Sequence, residues 1–89
     1  MEDKWKKLKD SLELEEYPLL YYFKFIIPNE EEKLNHLKSK FSAEGADISL
    51  NYSKSEKYVS VRIKEVMMSA QQIIDAYISV GEIEGVISL

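Results

Sequence analysis

Residues 3 to 14 place Trp5, Leu8 and Leu12 at i, i+3 and i+7, a narrow apolar stripe on a helix that also carries Lys4, Lys6, Lys7, Lys9, Asp10 and Glu13. A helix this short needs a surface to lie on. Pro18 ends the region and biases Tyr17 toward extended backbone, after which Leu19 to Ile27 is a run of aliphatic and aromatic residues broken only by Lys24. That run predicts a central strand. Pro28-Asn29-Glu30-Glu31-Glu32 predicts a helix start, with Asn29 as cap, Glu32 completing a capping box and three carboxylates facing the positive end of the dipole. The helix should reach about Ser42 on a stripe of Leu34, Leu37 and Phe41, with Gly45 as the left-handed residue of the turn out.

Ile48, Leu50 and Tyr52 alternate with Asp47, Ser49, Asn51 and Ser53, and Val59, Val61 and Ile63 alternate with Tyr58, Ser60, Arg62 and Lys64. Joined by the polar segment Lys54 to Lys57, the two runs predict an antiparallel hairpin. Ser69 then caps a helix, with Gln72 three residues on and Ala70, Ile73, Ile74, Tyr77 and Ile78 as its apolar face, which ends at Gly81; Ile83 to Leu89 predicts a last short strand. With right-handed crossovers, this order gives an α+β fold: a ferredoxin-like βαββαβ two-layer sandwich with an antiparallel sheet of order 4-1-3-2 and an extra N-terminal helix. Residues 1–17 form the helical extension and 18–89 the ferredoxin-like domain, a single domain overall.

Parity then decides what the sheet displays. If Phe23, Phe25 and Ile27 face the helices, Leu20, Tyr22, Lys24 and Ile26 face away; on the third strand Tyr58, Ser60, Arg62 and Lys64 do the same. Tyr22, Lys24, Tyr58, Ser60, Arg62 and Lys64 are the candidate binding surface. The structural alternative is a solvated sheet face, or one shielded by the Trp5, Leu8 and Leu12 stripe, since two exposed apolar surfaces have a mutual solution.

Composition narrows the chemistry. Twelve Lys and Arg against sixteen Asp and Glu leave a net charge of −4 in 89 residues, the wrong sign for a duplex-DNA binder or a polybasic membrane adaptor. The absence of cysteine excludes disulfides, thiolate metal sites and a Cys nucleophile, and suits a reducing cytoplasm. The leading residues are too charged for a signal-peptide core, and the longest apolar run, Tyr17 to Phe23, is far short of the ~20 residues of a membrane span. A soluble, cytoplasmic protein is expected. His36, the one histidine, falls off the buried helical stripe; Glu30 to Glu32 splay around the helix and cannot converge on one ion; Met67 and Met68 are expected to pack at the core's edge. No serine sits in a glycine-flanked elbow and no Gly-rich loop could cradle phosphate, so neither enzymatic activity nor a cofactor or metal is expected.

Glu16-Tyr17-Pro18, the strand Tyr21-Tyr22-Phe23-Lys24-Phe25, Tyr58-Val59-Ser60-Val61, the closing helix and Ile83-Glu84-Gly85-Val86-Ile87-Ser88-Leu89 resemble the YbeD-like family, small bacterial proteins of unknown function. The resemblance covers nearly the whole chain and implies a fold similar to the ligand-binding regulatory ACT domains. Family members commonly carry a glycine soon after the first strand, where this chain has Ile27-Pro28-Asn29, a departure that weighs against ligand approach at that loop. Pro18, Lys24, Tyr58 and Ser60 match positions that mark either a shared surface or determinants of the fold. The leading functional expectation is a non-enzymatic regulatory or interaction module that binds a protein partner or a second copy of itself. An ACT-like amino-acid binder is the alternative, and single-stranded RNA binding through Tyr22, Lys24, Tyr58 and Arg62 a further one; the charge disfavours nucleic acid and no membrane is implied.

Overall fold

The computed structural model describes residues 2–89; the side chains of residues 1–4, Lys4 of the expected polar face among them, lie outside the described residues. Helix α1 (Glu2–Leu12) precedes β1 (Leu19–Pro28), α2 (Glu31–Ser39), β2 (Asp47–Tyr52), β3 (Tyr58–Met67), α3 (Ala70–Val80) and β4 (Ile87–Ser88). The sheet order is β2-β3-β1-β4 with every neighbour antiparallel, which is the 4-1-3-2 arrangement expected from the order of elements. The two long strands β1 and β3 occupy its centre and pair over ten residues, from Leu19 opposite Met67 to Pro28 opposite Tyr58.

Alternation on these strands builds the core. Phe23, Phe25 and Ile27 of β1 and Val59, Val61 and Ile63 of β3 are all 0 or 1% exposed, packed beneath Leu34 and Leu37 of α2, Phe41 after it, and Ile73, Ile74, Tyr77 and Val80 of α3. Each such side chain contributes about 1.5–3 kcal/mol through burial. The Phe23 ring stands edge-on to both Phe41 and Tyr77, with centroids 5.2 Å away in each case. The Tyr77 hydroxyl keeps a partner inside this apolar layer, 2.9 Å from that of Tyr21. Ser69 caps α3 as expected, its Oγ accepting from the Gln72 N–H at 3.1 Å, while Gln72 reaches back to accept from the Met68 N–H at 2.6 Å.

Five local expectations are corrected. Asn29 does not cap α2: its N–H donates to the Lys57 carbonyl and its side-chain amide to the Glu56 carbonyl, both at 2.9 Å, so it prolongs the strand and Glu30 becomes the cap residue. Helix α2 ends at Ser39 rather than near Ser42. Gly45 is not left-handed, because its N–H donates to Ser42 Oγ at 2.9 Å and the turn closes on that side chain; the left-handed residues are Glu56 (φ 60°) and Gly85 (φ 87°). Met68 is 63% exposed and only Met67 reaches the core. The last strand shrinks to Ile87–Ser88, while Ile83, expected to begin it, is buried as a core residue.

Helix α1, whose resting surface the sequence leaves open, is placed by its aromatic contact. It lies not on the open sheet face but in the helical layer, where Trp5 stacks on Tyr77 with ring centroids 5.9 Å apart and Leu12 is buried. Trp5 packs there against the aromatic cluster around Tyr77, which the cation-bearing outer face does not offer. The Tyr17 hydroxyl donates to the Leu12 carbonyl at 2.8 Å and satisfies the helix's C-terminal end. Among the described residues no helix is long and apolar enough to cross a membrane.

Candidate functional site

The outer face of the sheet is the surface that parity leaves over. No described helix covers it: Tyr22 is 64% exposed, and Leu20 and Val66, opposite each other across β1 and β3, are 48% and 51% exposed. Moving along the strand pair, Tyr22 faces Lys64, Lys24 faces Arg62, Ile26 faces Ser60 and Pro28 faces Tyr58. Strand β2 adds Asp47 beside Lys64, Ser49 beside Arg62 and Asn51 beside Ser60. A shallow hollow of about 480 Å³ lies over this region, lined by Tyr22, Lys24, Asp47, Ser49, Arg62 and Lys64.

The six expected surface residues thus share a face, but not one locus. Tyr22, Lys24, Arg62 and Lys64 surround the hollow. Tyr58 lies six residues further along the pair from Tyr22's level, about 20 Å at strand rise, and half-buried Ser60 falls between. The two tyrosines therefore do not make a joint platform for adjacent bases. The charges also divide: Lys64 Nζ pairs with Asp47 Oδ2 at 3.4 Å, whereas Lys24 and Arg62 have no carboxylate within ion-pair distance among the described residues.

The sequence places Leu20 on this face, outside the six candidate binding residues, but does not mark Asp47 or Val66 as members of it. Asp47 becomes legible once the hairpin is closed at Ser53 and Tyr58, whose backbone bond is 2.9 Å, because counting outward from there brings Asp47 opposite Lys64. Val66 lies beyond the alternation read from Tyr58 to Lys64; β3 continues to Met67 and carries the carboxylate of Glu65 at an inward parity. That carboxylate accepts from the Ser42 N–H at 3.3 Å at the rim of the helical layer.

Elsewhere the chemistry is thinner. At the first loop, Pro28 sits against Gly85, where an added Cβ would come within 2.9 Å of Pro28 Cγ, and the Asn29 amide is engaged by Glu56. His36 is exposed on α2 beside an acidic depression with Glu30, Glu32, Glu82 and Glu84, and Glu30 pairs with Lys33 at 3.6 Å. Among the described residues no three metal-ligating side chains converge. Burial first, and then the hydrogen bond with Tyr21, push the Tyr77 hydroxyl far above the ordinary tyrosine range, which keeps it a neutral core group.

A family model described as "Protein of unknown function (DUF493)" matches residues 13–89, all of the chain after α1, in agreement with the YbeD-like resemblance. No curated protein and no solved structure matches the chain.

Proposed function

Because the chain belongs to the DUF493 family of proteins of unknown function, membership brings no activity with it, and we propose that the protein is a non-enzymatic interaction module whose outer sheet face receives a protein partner. The observation that carries this reading is a long central strand pair with one face packed and the other uncovered, bearing Tyr22, Leu20 and Val66 at about half exposure or more. An antiparallel sheet can leave one face to water, but that face is then normally polar throughout; exposed rings and aliphatics beside cations fit a docking surface better. The shallow hollow favours binding over catalysis, since it cannot exclude water from a reacting centre.

Against the ACT-like reading stand the Pro28–Gly85 contact and the engaged Asn29 amide at the first loop. Against an RNA platform stands the ~20 Å between the tyrosines. The cysteine-free composition fits a reducing compartment, so the partner is sought in the cytoplasm. The test is a photo-crosslinking residue placed at Tyr22, with one at exposed Gln71 on α3 as control. Protein adducts from position 22 and few from 71 are expected; equal capture at both, or none at either, overturns the reading.

A further inference from the structure

We propose that the partner presents an acidic segment with interspersed apolar side chains, whose carboxylates are held by Lys24 and Arg62. This rests on the sheet face being the docking surface. Lys24 and Arg62 stand directly opposite each other on adjacent antiparallel strands, an arrangement in which like charges oppose folding. Two residue pairs away the same sheet does the reverse, setting Asp47 within 3.4 Å of Lys64. Among the described residues the fold thus answers one cation and leaves two facing the same hollow, in a chain whose net charge is −4. An anionic ligand supplies the missing counter-charge, and the Arg62 guanidinium offers a carboxylate a two-pronged contact.

The surroundings select among anions. Beyond the Tyr22–Lys64 level lies the Leu20–Val66 pair, an apolar step suited to aliphatic side chains. A nucleic acid would bring a phosphate at every residue toward a net-negative protein and would find one ring at the hollow rather than two. A second copy applied face to face would set the same unanswered cations against each other. A short acidic segment meets the two cations with carboxylates and the apolar step with its own side chains, without a long anionic chain to be repelled.

The experiment pans displayed random peptides of about ten residues, roughly the length of β1, on the full chain and on Lys24→Gln/Arg62→Gln, which keeps both side chains long and polar. Enrichment of Asp and Glu alternating with apolar residues on the wild type is expected. The enriched peptide should bind the double variant about tenfold more weakly and weaken with salt as screening shortens toward ~3 Å at 1 M. Circular dichroism verifies that the variant is folded. Enrichment without acidic bias, undiminished binding to the variant, no enrichment at all, or tighter binding of an oligouridine than of the selected peptide each overturns the proposal. So does a dimer, seen in sedimentation, that the double substitution dissociates, for the second copy is then the occupant. If crosslinking at Tyr22 captures a protein while panning finds no acidic preference, the docking face stands and the acidic segment falls.

Discussion

The inner and outer rows of β1 and β3 share one backbone, one register and one set of ladder hydrogen bonds, yet they obey different rules. On the inner row Phe23, Phe25, Ile27, Val59, Val61 and Ile63 are sealed from water, and their rings and branched chains interlock with three helices. On the outer row Tyr22 is mostly exposed, Leu20 and Val66 lie half in water, and Lys24 faces Arg62 with no carboxylate in ion-pair range among the described residues. The difference teaches that strand propensity and residue choice are separable: the inner row is dictated by packing, while the outer row departs from what stability alone would select, with cations in opposition and aliphatics in solvent.

That contrast can be broken most directly by truncation. Phe25→Ala should cost about 3–5 kcal/mol, whereas Tyr22→Ala, three residues before it and facing outward, should stay within about 0.5 kcal/mol; urea denaturation of both measures the gap, and similar losses would erase the distinction between the rows. The next effect concerns the hydroxyl pair of Tyr21 and Tyr77 in the inner layer. The neutral Tyr77 hydroxyl is favoured by folding, so its contribution is complete below the unfolded value near 10 and is lost as pH rises above it. Tyr77→Phe should therefore be less stable by about 1 kcal/mol near neutrality but lose stability less steeply above about pH 10, as urea titrations across alkaline pH would reveal. Smallest, and opposite in sign, is Lys24→Gln: relieving the opposed cations should stabilise the fold by about 0.2–1 kcal/mol, read as a modest rise in Tm. A loss of stability there would mean that Lys24 serves the fold after all.

Much of this was legible from alternation. The inward row, the hairpin, the Ser69 cap and the sheet order follow from residue spacing because core burial penalises every other parity. Local capping was less legible: Asn29 has the chemistry of a cap, but the ladder beyond Pro28 offers it the Lys57 and Glu56 carbonyls, and tertiary pairing wins. The position of α1 was not legible at all, since a stripe of Trp5, Leu8 and Leu12 fits any apolar surface and only the three-dimensional aromatic cluster around Tyr77 decides between them. The candidate surface was readable as a list of outward residues, but not as a geometry. Its division into a cation-lined hollow and a remote Tyr58 depends on strand register, and the neutralisation of Lys64 depends on where the hairpin closes.

The opposed cations lie on the two middle strands of four and near the midpoint of a ten-residue pairing, so they stand at the hub of the plate on both axes. Whatever lies flat there, in any orientation, must strip hydration from a guanidinium and an ammonium together. A visitor lacking anionic oxygens is then turned away by a desolvation penalty rather than merely left unattracted, and discrimination arises from exclusion.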